Sequence, residues 1–230
     1  MTPALSLPEP SGASDGAAPA STGWTNRLAA RMAAIGLGAG GVWAVALVLA
    51  LLAAACLLWS GAAPAKLRAV LLFLAVVLIQ FRMTGSRTAG LLARDHGLGD
   101  ARAAIWSEIP DRLADLMILV GAGYGAERAG IDGAGALGWL AAVLALLCGH
   151  VRLLGVTLGF RSEALGPMGA TVRMAVLSAA CIVSMFEPLW GWRGPGLVIG
   201  LSIIALGAAI TLGRRIVRLA GRLGKTDEDA

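Results

Sequence analysis

Apolar runs of about twenty residues recur six times in this chain, separated only by short charged or Gly- and Pro-containing joints. A run of that length matches the thickness of a bilayer core. Inside lipid every backbone N–H and C=O must find a partner within the chain, so each run is read as a helix. The runs fall at about 41–60, 66–83, 104–126, 134–155, 170–190 and 195–218. The expected fold is therefore all-α, a polytopic membrane protein of six transmembrane helices. Ahead of them, Trp24 to Ile35 sets Arg27 and Arg31 against Leu28, Met32 and Ile35, which suits an amphipathic helix lying in the interface. With 57% of residues hydrophobic and 14% charged, one membrane domain over 24–218 takes up nearly everything. Residues 1–23 carry no Lys or Arg, are rich in Pro, Ser, Gly and Ala, and read as a disordered tail; 219–230 reads as a polar, unstructured one. No positive n-region with an apolar core precedes Trp24, so the first span is expected to direct insertion.

Orientation follows from the basic residues. Counted by alternate sides, fourteen Lys and Arg fall on the side of the N-terminus, and four (Lys66, Arg68, Arg128 and Arg193) on the other. That bias puts both termini in the cytoplasm. Cys56, Cys148 and Cys181 are odd in number and each sits in an apolar run, so they are expected as small buried hydrophobes, not disulfides or metal ligands. With two histidines and no Cys pair, no zinc site is expected, and His150 reads as an interfacial histidine. Gly36 and Gly40, Gly121 and Gly125, and Gly155 and Gly159 permit close helix approach. In a chain with 32 glycines such pairs arise by chance and specify no oligomer.

Residues 86–115 interrupt this pattern with nine charged side chains. A Gly-containing connector, "RDHGLGD", divides the stretch. Beyond it Glu108, Asp111 and Asp115 stand three and four residues apart, which places three carboxylates on one helix face directly before an apolar run. Ionisable groups at the mouth of a span are costly unless paired or functional. The functional reading is a polar cavity of acids and arginines, in which carboxylate oxygens hold Mg²⁺ or Mn²⁺ and the metal meets phosphate. The competing reading pairs the acids with Arg94, Arg102 and Arg112 simply to fix helix packing. Arg94 suits bidentate contact with phosphate, and Arg152, Arg161 and Arg173 gather on the same side, where they serve topology or receive a phosphate.

The stretch resembles the signature of the CDP-alcohol phosphatidyltransferase family, six-span enzymes. That signature reads Asp, two residues, Asp-Gly, two residues, Ala-Arg, eight residues, Gly, three residues, Asp, three residues, Asp. Gly90, Ala93 and Arg94 match its Gly and Ala-Arg positions, and the last aspartate falls on Asp111. "GPM" at 166–168, with Arg173 after it, and the run "ILVGAGYG" resemble a bacterial branch of the family. The chain departs at three aspartates, where it has Ser86, Ala89 and Ser107.

The resemblance implies a multi-pass protein of the bacterial inner membrane that transfers a substituted phosphate group from a CDP-linked lipid, of the CDP-diacylglycerol class, to a small alcohol with release of CMP. It implies Asp111 as base or metal ligand, Glu108, Asp115 and Ser107 as further metal oxygens, and Mg²⁺ or Mn²⁺ as the ion. Gly90, Ala93, Arg94 and Arg173 would meet nucleotide or phosphate. A homodimer is compatible with it, and no nucleic-acid partner is expected. The degenerate positions motivate the alternative, a catalytically inactive member that binds lipid headgroups or steadies a partner enzyme. A transporter finds no support, since the two halves carry no pair of broken helices.

Overall fold

The computed structural model describes residues 39–95, 101–160 and 166–228, with side chains over 41–86, 108–160 and 166–223. The expected tail 1–23 and the amphipathic segment Trp24 to Ile35 lie outside these residues, as does Arg161. Six α-helices are described: α1 Ala39–Ser60, α2 Ala65–Asp95, α3 Ala101–Arg128, α4 Ala134–Thr157, α5 Ala170–Phe186 and α6 Pro195–Glu228. A 3₁₀ turn, Glu187–Trp190, follows α5.

Five of these helices, α1, α2, α4, α5 and α6, are long and apolar enough to cross a membrane. The chain is thus a multi-pass membrane protein. Helix α3 is as long, but its first half carries Glu108, Asp111, Arg112 and Asp115. Two helices outrun the expected spans: α2 continues to Asp95, and α6 to Glu228, so most of the anticipated C-terminal tail is helical. The last part of α6, "GRRIVRLAGRLGK", holds no proline, and its Arg and Leu positions suit a helix beyond the apolar run.

The joints are set by backbone chemistry. Helix α3 ends in a Schellman turn: Gly130 N–H reaches Glu127 O, Ile131 N–H reaches Ala126 O, and Gly130 takes φ 103°, which glycine adopts without Cβ strain. Glu127 Oε2 then accepts Gly135 N–H at 2.8 Å, capping the start of α4. The same two-bond turn closes α4, through Gly159 N–H to Val156 O and Phe160 N–H to Gly155 O.

Packing runs as a closed ring, α1 against α2, α2 against α5, α5 against α6, α6 against α4, α4 against α3, and α3 back against α1. Leu57, Leu72, Ile79, Ile118, Leu119, Leu177, Leu201 and Ile204 fill its centre. The outer surface is equally apolar, with Val48, Phe73, Phe81, Leu140, Ile199 and Leu206 exposed, while Arg68, Arg82, Asp115, Arg173 and Glu187 are buried. Apolar outside and charged inside is the distribution a lipid solvent imposes.

The buried charges form two groups, and Arg82 lies fourteen residues, about 21 Å of helix, beyond Arg68 on α2. At the Arg68 end, the guanidinium donates to Ser60 O at 3.3 Å and to Glu187 Oε2 at 3.1 Å. Glu187 also accepts Ser184 Oγ–H at 3.1 Å, Gly194 N–H at 2.6 Å and Gly196 N–H at 2.5 Å. This clamp ties the α1–α2 turn to the α5–α6 turn, and exposed Trp190 and Trp192 adjoin it, as anchors at a membrane interface do.

Of the glycine pairs, Gly121 and Gly125 sit where α3 crosses α1. A Cβ at Gly121 would lie 2.7 Å from Ala54 O, and one at Gly125 would collide with Leu57 O. Gly125→Val is therefore expected to part the two helices and cost about 1–3 kcal/mol. Gly213→Ala, on α6 with nothing within 4 Å of the added carbon, should be neutral or slightly stabilising. Thermal unfolding of the two variants in detergent checks the contrast.

Candidate functional site

At the end of the ring opposite the clamp lies a cavity of about 410 Å³. Helix α2 brings Arg82 and Ser86 to it, α3 brings Glu108, Asp111, Arg112 and Asp115, α4 brings Gly149 and Arg152, α5 brings Arg173 with its first turn, and α6 brings Arg215. On α3 the three carboxylates share a face because helical side chains three and four apart do. Pro110 stands among them; lacking an N–H, it leaves the Trp106 carbonyl without its usual partner one turn on.

Every one of these acids is engaged by arginine. Asp115, with 6% of its side chain exposed, lies 2.8 Å from Arg173 Nη2 and 2.9 Å from Arg82 Nη1. The first contact is a hydrogen bond, whereas the second is an ion pair outside hydrogen-bond geometry. Arg82 also donates through Nη2 to the Asp111 carbonyl at 3.0 Å and to Asp111 Oδ1 at 3.3 Å. Ser86 Oγ–H donates to the same Oδ1 at 2.7 Å. Glu108 accepts from Arg112, one turn along α3, and from Arg152 at 3.1 and 3.2 Å. The Arg112 guanidinium lies over Gly149, where a Cβ would come within 2.5 Å of its carbon.

Five guanidinium groups thus face three carboxylates, and two of the five are incompletely used. Arg82 and Arg173 are buried, and the Nε donor of each has no partner among the described residues. The cavity is a basic one. Its excess of positive charge suits an anion.

The sequence expectations meet this geometry unevenly. Glu108, Asp111, Asp115, Arg173 and Ser86 come together in the cavity, and Arg152 joins them. Ala89, Gly90, Ala93 and Arg94 lie on α2 and Ser107 on α3, with side chains outside the described residues. Sequence alone marks Arg82 and Arg215 only as topology charges. Arg82 carried one signal, its place one turn before Ser86 on the same face of α2. His150 lines an apolar groove beside the cavity with Leu146, Leu147 and Leu153. All three cysteines are free and buried.

A divalent ion fits poorly here. Among the described residues no three His, Cys, Asp or Glu side chains are placed to hold one, and both oxygens of Asp115 and of Glu108 already face guanidinium groups.

No protein-family model matches the sequence, and no curated protein matches it either. Solved structures do. The chain is similar to the phosphatidylinositol phosphate synthase of Mycobacterium tuberculosis in three forms. For the complex with manganese and citrate the TM-score is 0.69 at 18% identity, over 85% of this chain and 88% of that one. With CDP-DAG bound the values are 0.70 and 19%, over 85% and 92%. For the apo form they are 0.67 and 19%, over 83% and 93%. The ring of helices is therefore the fold that these phosphatidylinositol phosphate synthase structures have.

Proposed function

We propose that this chain is a protein of the bacterial cytoplasmic membrane, with α3 as a sixth span and both termini cytoplasmic, whose cavity holds the head of a CDP-linked lipid of the CDP-diacylglycerol class. The observation that carries this is the gathering of five arginines against three acids in one cavity of this fold. A diphosphate presents the oxygens that guanidinium groups engage in pairs. The first turn of α5 adds to the same wall: Gly169, Ala170 and Thr171 line the cavity, and no side chain caps that helix start, which suits phosphate. Gly90, Ala93 and Arg94, further along α2, are proposed to meet the nucleotide or phosphate.

The positions of the acids support a register one turn later than the signature's own spacing predicts. Asp111 and Asp115 are themselves an Asp, three residues, Asp pair, and Ser86 hydrogen-bonds Asp111 at 2.7 Å. In this register the signature's last aspartate is Asp115, sealed between two guanidiniums, and its third is Asp111.

A second reading, transfer of the phosphate group, is favoured by one observation. Asp111 is the most open of the three acids, with 42% of its side chain exposed. There it would accept the proton of a small alcohol as the alcohol oxygen bonds to phosphorus and the P–O bond to CMP breaks. Ser86 and Arg82 would orient that carboxylate.

The test is equilibrium binding of CDP-diacylglycerol to purified protein, followed by an assay for CMP. Arg152→Ala removes one charge-assisted contact and should weaken binding about 10- to 100-fold. Unchanged affinity would remove the cavity from consideration. CMP release that Asp111→Asn abolishes would establish transfer; binding without release would leave a lipid-holding protein.

A further inference from the structure

Arg82 is 3% exposed in its side chain, and one guanidinium spans two carboxylates: Nη1 is 2.9 Å from Asp115 Oδ1 and Nη2 is 3.3 Å from Asp111 Oδ1. A hydrogen bond from Nη2 to the Asp111 carbonyl at 3.0 Å fixes it further. Arg173, equally buried, covers the other oxygen of Asp115 at 2.8 Å and is itself held by the Met168 carbonyl at 3.2 Å. Bridging two acids and leaving positive charge toward the ligand is what a divalent ion does at a phosphate site.

We infer that Arg82, with Arg173, takes the place of divalent metal at Asp111 and Asp115, so that the cavity binds its phosphate-bearing ligand without a metal ion. The inference rests on the reading of the cavity as a phosphate-binding site. Three further features agree with it. An ion arriving at Asp111 and Asp115 would meet two buried guanidiniums at close range, and like charges repel strongly where water is excluded. The positions that would have supplied more acids are Ser86 and Ala89; one offers a neutral oxygen and the other none. The unpaired Nε donors of Arg82 and Arg173 are buried polar groups of the kind a ligand oxygen satisfies.

Two measurements on the purified full chain decide it. The first is Mn²⁺ binding, followed by electron paramagnetic resonance. No saturable site is expected up to millimolar ion, and a site that Asp111→Asn removes would overturn the inference. The second is CDP-diacylglycerol binding in EDTA and in millimolar Mg²⁺. The two affinities should agree within about twofold, and binding that needs the ion would overturn the inference as well. If the lipid binds under neither condition, the proposed function fails, and the Mn²⁺ measurement alone still judges the metal question. Arg82→Asp gives a positive control: it adds a carboxylate and removes the guanidinium, so Mn²⁺ binding should appear.

Discussion

Removal of Asp115 is expected to unfold much of the protein at temperatures where the natural sequence is intact. Asp115→Ala leaves Arg82 and Arg173 buried together with no shared counter-ion. Breaking a buried pair from one side costs about 3–5 kcal/mol; here Arg173 is left with only the Met168 carbonyl, while Arg82 keeps Asp111. Asp115→Asn keeps the shape and one acceptor oxygen and should lose less. Urea or thermal unfolding in a fixed detergent orders the three proteins, and an Asp115→Ala variant as stable as the natural one would contradict the burial of this network.

The opposite end makes a comparable prediction with a different internal signature. Glu187→Ala removes the acceptor for Arg68 and also for Ser184, Gly194 and Gly196. The expected cost is again about 3–5 kcal/mol. Arg68→Met should be milder, because the carboxylate it leaves behind keeps three donors. If Arg68→Met proves the more damaging, the backbone N–H groups of the α5–α6 turn contribute less than their distances suggest. Neither variant touches the cavity, so lipid affinity per folded molecule should not change.

Much of the architecture could be read because lipid makes hydrophobicity a direct reporter of helix position. The runs at 41–60, 134–155 and 170–190 needed nothing but length and composition. Helix ends were harder: once past the bilayer, α2 and α6 continue on ordinary helix propensity, which apolar counting does not detect. The acids of the cavity were legible too, since Glu108, Asp111 and Asp115 advertise a common face by their spacing on one helix. Their partners were legible only in part: Arg112 by its place on the same helix, and Arg173 by the "GPM" ahead of it. Arg82 and Arg152 come from two other helices, and apart from the place of Arg82 one turn before Ser86 little local marks such an arginine off from one that anchors a helix end in the headgroups. Arg68 and Glu187 are 119 residues apart, and Arg68 was counted with the charges of the far side when it lies fully buried.

The clamp has a bearing on geography as well as on strength. Among the described residues a buried ion pair closes the far end and leucine and isoleucine fill the centre, so the charged cavity opens at the Asp111 end. Under the proposed function, a lipid would arrive from and return to the leaflet at that end, changing partner or chemistry without changing sides. Sidedness in any pathway this protein serves would then have to be broken by some other molecule.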